Sequence, residues 1–243
     1  MNKIDLYDIG LSERFIREAT MYGDNLYLGR VSAQHKDIYK VITEKGEIPA
    51  EVSGKLSYSA SSTVDYPAVG DWVMVDRVDS KSGNAIIHHL LTRKSCLERK
   101  VAGAEYTSQI IAANIDTVFI CMSLNNDYNL RRIERYLSIV WESMAMPVIA
   151  LTKTDLCNDL SIRLREIKSV ALGVEVVVTS SMSSDGYTDL LKYLRKGKTS
   201  AFIGSSGVGK STLINRLMGK DVLSTKEGIP LLIGNSLFCR VAE

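Results

Sequence analysis

Short apolar stretches recur through the first hundred residues of the chain, with polar positions between them. The stretch DYPAVGDWVMVD predicts a turn at Pro67 and Gly70, followed by an extended run from Trp72 to Val75. Five such stretches, separated by Gly, Ser, Asp and Pro, are predicted strands: NLYLGRVSAQ, IYKVIT, IPAEVSG, DWVMVDRV and NAIIHHLL. Five short strands at this spacing are typical of a small barrel or sandwich.

The pattern changes near residue 110. Apolar runs of strand length now alternate with segments of helical periodicity, which is typical of a parallel sheet with helices on both faces. The predicted strands are 115–123, 147–152, 174–179 and 200–204, and the predicted helices are 129–144, 159–171, 187–196 and 210–219. We therefore predict a β domain followed by an α/β domain, joined across roughly 100–113.

Composition is that of a soluble globular protein with room for two modest domains: 243 residues, 45% hydrophobic and 24% charged. No apolar run approaches the ~18 residues that a membrane span needs. The N-terminal stretch MNKIDLYDIG lacks the basic-then-apolar pattern of a signal peptide, so a cytosolic location is the expectation. The formal charge of +2 makes no global argument for nucleic acid.

The four cysteines are scattered, without a CxxC pair or a neighbouring histidine, and are expected to be reduced thiols packed as small hydrophobes. The three histidines form no plausible zinc set with them. The candidate functional residues therefore lie in three short polar segments that follow predicted strands of the α/β domain.

The first segment, GSSGVGKST at 204–212, fits G-x-x-x-x-G-K-[ST] between a predicted strand and a predicted helix. Its glycines allow backbone N–H groups to wrap a β-phosphate, and the helix N-terminus adds its positive dipole end. Lys210 would reach the β- and γ-phosphates, and the Ser211 hydroxyl would ligate Mg²⁺. The predicted nucleotide-binding residues here are Gly204, Ser205, Ser206, Gly207, Val208, Gly209, Lys210, Ser211 and Thr212.

The second segment, LTKTDL at 151–156, contributes Thr152, Lys153, Thr154 and Asp155. A carboxylate at Asp155 can accept two hydrogen bonds from guanine N1–H and the exocyclic amine, and adenine offers no such donor pair. The Lys153 stem can lie along the base plane, and Thr152 can tie this loop to the phosphate loop. Taken alone, TKTD is weak and fits a solvated turn; beside a phosphate loop it predicts guanine selectivity.

The third segment, TSSMSSDG at 179–186, places Ser180 and Ser181 where a backbone N–H could reach guanine O6. Alone it would be only a serine-rich turn. Both base-recognition segments precede the phosphate loop, the reverse of the order in small GTPases. A parallel sheet tolerates this reversal because strand positions in space need not follow chain order. The α/β domain is therefore predicted to be circularly permuted.

From about residue 26 to 227 the chain resembles the ribosome small-subunit-dependent GTPase A family. Besides the three loops, the resemblance is carried by YPAVGDWV, RKSCLERKVAG, AANIDTVFICMS and NLRRIERYL. It implies an RNA-contacting OB-fold barrel at 1–100, a linker at 101–113, a partial circularly permuted P-loop GTPase domain at 114–227 and an atypical tail at 228–243. It also implies a cytoplasmic, monomeric GTPase that binds GTP or GDP with Mg²⁺, with Lys210 and Ser211 as catalytic residues. Such a protein would contact rRNA late in maturation of the small ribosomal subunit.

The tail GIPLLIGNSLFCRVAE departs from the family pattern. The resemblance would continue with a threonine-bearing switch, a D-T-P-G magnesium loop and a zinc domain, and this sequence has none of them. A frameshift or truncation, or a variant tail that still folds, are the open explanations. We expect the GTPase domain to be incomplete at its C-terminus, with an unpaired sheet edge unless the tail covers it, weak nucleotide binding and little hydrolysis.

The predicted barrel raises the question of RNA. RKSCLERK offers Arg93, Lys94, Arg99 and Lys100 as a phosphate patch, although a solvated linker explains these charges equally well. Residues 1–110 hold 14 basic and 15 acidic groups, so the domain is near neutral. Tyr58, Tyr66 and Trp72 could stack on bases, with core packing favoured for Trp72. The alternative to a GTPase is a non-catalytic rRNA-binding OB-fold module with a vestigial nucleotide site; an ATP-dependent enzyme is disfavoured by TKTD.

Overall fold

The computed structural model describes residues 3–81, 83–100, 108–180, 186–218, 231–233 and 236–240. The chain divides into two compact units. The first comprises Met1–Ile115, Lys196–Thr199 and Pro230–Leu237, and the second comprises Asp116–Arg195, Ser200–Ile229 and Phe238–Glu243.

A closed five-stranded barrel forms the centre of the first unit. Its strands are β1 (Tyr27–His35), β2 (Ile38–Thr43), β3 (Gly46–Val52), β4 (Trp72–Val75) and β5 (Ala85–Leu90), in the order β1-β2-β3-β5-β4 with β4 returning to β1. The β3–β5 pair is parallel and the other pairs are antiparallel. All five predicted strands are present. They close into a barrel rather than a sandwich, with the five-stranded OB-type architecture.

Apolar side chains fill the barrel and also cover one outer side of it. Val31, Val41, Val73 and Ile87 lie in the interior cluster and are fully buried. Outside, helix α1 (Glu13–Ala19) brings Phe15 against Trp72, with the ring centroids 5.8 Å apart. Trp72 is fully buried, which confirms its prediction as a core residue. Helix α2 (Gly54–Ser59) follows β3.

A buried ion pair lies beside the barrel and changes the interpretation of the basic patch. Asp71 is fully buried and accepts hydrogen bonds from Nε and Nη2 of Arg93 at 2.9 and 2.7 Å. Arg93 also donates to the backbone carbonyls of Val64 and Tyr66. The prediction of Arg93 as a phosphate contact is therefore wrong, because its guanidinium is consumed by internal acceptors. Arg99 is exposed in β6 (Cys96–Lys100), and the side chain of Lys100 lies outside the described part.

The segment predicted as a linker contains regular structure. Strand β7 (Ser108–Ala113) pairs with β6 in an antiparallel two-stranded sheet, with Cys96 opposite Ala113 and Arg99 opposite Gln109. Residues 101–107 of the predicted linker lie outside the described residues.

The α/β part is built on a six-stranded sheet in the order β10-β9-β8-β11-β13-β12. The strands are β8 (Thr117–Ser123), β9 (Met146–Thr152), β10 (Glu175–Val178), β11 (Thr199–Ile203), β12 (Leu231–Ile233) and β13 (Ser236–Arg240), and the helices are α3 (Leu130–Glu142), α4 (Leu160–Val170) and α5 (Lys210–Met218). The pairs β10–β9, β9–β8 and β8–β11 are parallel, as the alternating pattern predicts. Between β10 and β11 the predicted helix 187–196 is instead a 3-10 helix, Thr188–Tyr193.

The tail supplies strands to this sheet. β13 lies next to β11, and β12 lies beyond it at the edge. The expected unpaired edge at β11 is thus covered by a neighbouring strand. The predicted tail boundary and the preceding segment DVLSTKE fall in 219–230, outside the described residues.

Candidate nucleotide-binding site

The phosphate loop connects the end of β11 to the start of α5. Gly204, Gly207 and Gly209 have positive φ angles of 141°, 77° and 97°, a region that side chains of L-residues rarely adopt. A Cβ atom at Gly204 would lie 2.4 Å from the carbonyl oxygen of Cys121 on β8. Close contact with the neighbouring strand therefore requires glycine at this position, and the loop starts from a fixed point on the sheet.

Lys210, at the start of α5, folds back over the loop. Its Nζ donates to the carbonyl oxygens of Gly204 and Ser205, the latter at 2.7 Å, and the residue is only 4% exposed. A buried ammonium needs acceptors to offset its lost hydration, and the loop carbonyls provide them. Phosphate oxygens could replace these carbonyls with charge-assisted hydrogen bonds, which are stronger.

The second predicted segment begins where β9 ends. Thr152 is buried, and its Oγ1 donates to the backbone carbonyl of Val208 in the phosphate loop. Lys153 adopts a left-handed conformation with φ 55°, which turns the chain into the short 3-10 helix Thr154–Leu156 that bears Asp155. The tie between the two loops that the sequence suggests for Thr152 is thus present.

The third segment meets the second through side chains. Thr179 donates its hydroxyl to the Leu151 carbonyl at 2.8 Å, and Thr154 donates to the Thr179 carbonyl at 3.0 Å. Ser180 donates its hydroxyl to Oδ1 of Asp155 at 3.2 Å. Ser181, the other predicted residue of this segment, lies outside the described residues.

All three segments line one cleft, which encloses about 80 Å³. The phosphate loop and α5 contribute Gly209, Thr212, Leu213 and Arg216, the second segment Thr152 and Lys153, and the third Thr179, Ser180 and Tyr187. The lining combines the start of a helix after a glycine-rich loop with hydroxyl groups and a lysine, groups that can hydrogen-bond a nucleotide.

Residues outside the three predicted segments also lie at the site, and the sequence reasoning missed them. Arg132 in α3 donates from Nη1 to Oγ of Ser205 at 2.5 Å and to the carboxylate of Asp127 at 3.2 Å. Tyr187 and Arg216 line the cleft without belonging to any motif. The available signal for Arg132 was a basic residue in the first turn of a predicted helix, where a helix alone disfavours it.

The remaining chemistry near the phosphate loop is restricted. Burial raises the pKa of the Cys121 thiol to about 12, so this group is neutral at ordinary pH. Ser211, predicted as the Mg²⁺ ligand, is half-buried in the first turn of α5.

Among the residues that the structure describes, no group of three or more His, Cys, Asp or Glu side chains could hold a metal ion. In the same part of the chain, no helix is both long and apolar enough to cross a membrane.

Comparison with known proteins identifies similarity along most of the chain. The model of the RsgA GTPase family matches residues 90–228. The protein named small ribosomal subunit biogenesis GTPase RsgA 2 of Lactiplantibacillus plantarum is 49% identical over 223 residues, which are 92% of this chain and 62% of that protein. RsgA 1 of Oceanobacillus iheyensis is 41% identical over 82% of this chain and 56% of its own length. The chain therefore spans little more than half the length of these relatives.

Solved structures agree with the architecture. YjeQ from Thermotoga maritima matches with a TM-score of 0.68 and 26% identity, covering 88% of this chain and 73% of that one. YloQ, described as a circularly permuted GTPase, matches with a TM-score of 0.63 and 21% identity over 88% of this chain and 70% of its own. The fold predicted from sequence, an OB-type barrel followed by a circularly permuted P-loop domain, is confirmed.

Proposed function

Because the chain belongs to the RsgA GTPase family, we propose that it binds guanine nucleotides and serves as a GTPase in maturation of the small ribosomal subunit. The names of its relatives support the second half of this proposal, since both curated proteins cited above are called small ribosomal subunit biogenesis GTPases. We place the protein in the cytoplasm, as a monomer, in line with such a role.

The observation that carries the proposal is the convergence of three segments on one cleft. The phosphate loop at 204–212 and the base-recognition loop meet through the hydrogen bond from Thr152 to Val208. The base-recognition loop and the serine segment meet through Ser180 and Asp155. Segments that are far apart in the chain thereby line one cleft, and Ser180 in its wall hydrogen-bonds the carboxylate of Asp155.

We assign the residue roles from this arrangement. The glycine-rich loop and the start of α5 would hold the phosphates, with Lys210 exchanging its loop carbonyls for phosphate oxygens. Asp155 would accept from the two guanine donors, and Ser180 and Ser181 would border O6. The Ser211 hydroxyl, in the first turn of α5, would ligate Mg²⁺, which would neutralise phosphate charge.

Nucleotide selectivity tests the proposal directly. A fluorescent GDP analogue should bind the purified chain, and GDP and GTP should displace it while ATP does not. Lys210→Ala should abolish this binding. Displacement by ATP as effectively as by GDP, or normal binding by Lys210→Ala, would contradict the assignment.

Turnover separates the GTPase from a binding module. Release of phosphate from GTP is measured with the chain alone and with small ribosomal subunits added. Stimulated turnover supports an enzyme, and the sequence predicts a low rate for this chain. If no turnover is found and the Lys210→Ala variant still pellets with small subunits, the rRNA-binding module is favoured instead.

We propose that the barrel contributes the RNA contacts. Tyr58 is 94% exposed, whereas Trp72 is buried and Arg93 is paired with the buried Asp71. Lys94 and Arg99 are the exposed cations of the predicted patch whose side chains the structure describes. Arg99→Glu should weaken pelleting with small subunits at moderate salt, because phosphate contacts are salt-dependent. Unchanged pelleting would remove Arg99 from the proposed RNA surface.

A further inference from the structure

Arg132 contacts the phosphate loop from outside all three nucleotide-binding segments. Its Nη1 lies 2.5 Å from Oγ of Ser205 and 3.2 Å from each carboxylate oxygen of Asp127. The side chain of Arg132 is 23% exposed, whereas that of the adjacent Arg131 is 91% exposed. The two neighbouring arginines thus differ sharply in environment.

The helix that carries Arg132 does not favour a cation at this position. Asn129 caps α3 and accepts from the backbone N–H of Arg132, so Arg132 lies in the first turn, which contains no acidic residue. Positive charge near a helix N-terminus opposes the helix dipole. The contacts with Asp127 and Ser205 therefore hold the guanidinium against an unfavourable local field.

The loop before α3 fixes the partner of Arg132. Asn125 Oδ1 accepts from the hydroxyl of Ser123 at 2.9 Å and from the backbone N–H of Asp127 at 3.1 Å. These bonds link the end of β8 to Asp127. The backbone of Asp127, whose carboxylate orients Arg132, is consequently held to the end of β8 through Asn125.

Ser205 is held at two points. Lys210 donates to its carbonyl oxygen, and Arg132 donates to its hydroxyl. When phosphate oxygens attract Lys210 away from the carbonyl, the contact with Arg132 does not need to break. We propose that Arg132 is a positioning residue that keeps Ser205, and through it the phosphate loop, in the conformation that binds the nucleotide. This inference rests on the proposed guanine-nucleotide function.

The test measures the dissociation constant for a fluorescent GDP analogue in the full 243-residue chain. Arg132→Ala should raise it about tenfold, as expected for loss of one charge-assisted hydrogen bond. Ser205→Ala should have a similar effect, and the double variant should be no weaker than either single one, because both remove the same interaction. Arg131→Ala is the matched control and should bind like the unchanged protein.

A second readout separates loop positioning from general damage to the fold. Inosine diphosphate lacks the exocyclic amine that Asp155 would read, so the ratio of GDP to inosine diphosphate affinity reports on the base site. Arg132→Ala should weaken both ligands equally and leave that ratio unchanged. Ser205→Ala removes only the hydroxyl that accepts from Arg132. It therefore tests the same contact if Arg132→Ala folds poorly.

The outcomes are distinct. If the unchanged protein binds GDP but Arg132→Ala and Arg131→Ala bind equally well, the inference is overturned and the proposed function stands. If the losses in Arg132→Ala and Ser205→Ala add in the double variant, Arg132 acts by another route and the inference again fails. If the unchanged protein binds no guanine nucleotide, the proposed function fails with it.

Discussion

The hydroxyl of Ser180 donates to Oδ1 of Asp155 across 3.2 Å, although the two residues are 25 positions apart in the chain. Asp155 lies on a short 3-10 helix after β9, and Ser180 follows β10, the parallel neighbour of β9. The carboxyl ends of neighbouring parallel strands meet at one edge of a sheet, which brings these side chains together. The proposed base-reading carboxylate is thus oriented by the adjacent loop.

Replacing Asp155 with Asn should change which base is bound. The amide can accept only through its oxygen and presents its NH₂ group to the guanine donors, so GDP affinity should fall about a hundredfold. Xanthosine diphosphate carries a carbonyl in place of the exocyclic amine and should now bind better than GDP. Competition against a fluorescent nucleotide measures both constants.

Asp159→Asn is the control for this change, because Asp159 is exposed at the start of α4 and its side chain makes no cap hydrogen bond. It should leave the GDP affinity intact. A preference for GDP over xanthosine diphosphate in Asp155→Asn would show that Asp155 does not read the base.

Alanine at Gly204 should be far more damaging than alanine at Gly207. The new methyl group at Gly204 would lie 2.4 Å from the Cys121 carbonyl oxygen, which is backbone and cannot move aside easily, whereas nothing lies within 4 Å of a methyl at Gly207. Both positions have positive φ, so Gly207→Ala carries only the backbone strain, roughly 1 kcal/mol. Thermal unfolding followed by circular dichroism should give a much larger loss for Gly204→Ala; equal losses would contradict the close packing of the loop on β8.

Thr152→Val should weaken nucleotide binding without altering the shape of the residue. The change removes the hydrogen bond to the buried Val208 carbonyl, and the free energy of unfolding should fall by about 1–3 kcal/mol. We expect GDP affinity to decrease as the two loops lose their connection. Thr152→Ser retains the hydroxyl and should bind normally; if Val and Ser behave alike, the tie is not important for binding.

Arg93→Ala should destabilise the barrel strongly, because it leaves the fully buried Asp71 carboxylate without its bidentate partner. Removing one member of a buried pair costs about 3–5 kcal/mol. Urea unfolding is followed by Trp72 fluorescence in a Trp141→Phe background, since Trp141 is half-exposed and belongs to the other unit. Arg99→Ala, on the surface, should stay within about 0.5 kcal/mol, and a similarly mild Arg93→Ala would show that the ion pair with Asp71 does not stabilise the barrel.

Cys121 should resist alkylation in the folded protein. Its side chain is fully buried and its pKa is raised to about 12, while the thiolate is the reactive form. Iodoacetamide at pH 8, with peptides mapped by mass spectrometry, should modify the half-buried Cys157 and reach Cys121 only in urea. Rapid modification of Cys121 without denaturant would show that β8 is accessible.

Much of the architecture was predictable because it depends on local patterns. The runs around Val73 and Ile120 are continuously apolar, as expected of fully buried strands, and both are strands in the structure whose residues are all buried. Closure of the barrel was not predictable, because alternation shows which face of a strand is buried and does not show which strand pairs with it. The segment 187–196 forms only a 3-10 helix at Thr188–Tyr193, whose N-cap Tyr187 makes no side-chain cap hydrogen bond.

At the site too, residues in local motifs could be predicted from sequence, and contacts between distant residues could not. Lys210 and Asp155 belong to local motifs and could be named from sequence. Arg132 reaches Ser205 across 73 positions, and Arg93 reaches Asp71 across 22, so each contact depends on the finished fold. The charge of Arg93 suggested a solvent-exposed residue, and only the position of its buried partner shows otherwise.

The placement of β11 beside β8 has a consequence for synthesis of the chain. β8 and β9 leave the ribosome long before β11, which follows β8 by more than seventy residues. At about 5–20 residues per second, several seconds pass in which β8 offers an open edge to the nascent chain and to its surroundings. The proposed base-reading segments are therefore synthesised first, and arrival of β11 both covers that edge and brings in the proposed phosphate loop, so that the proposed site is completed only after β11 has been made.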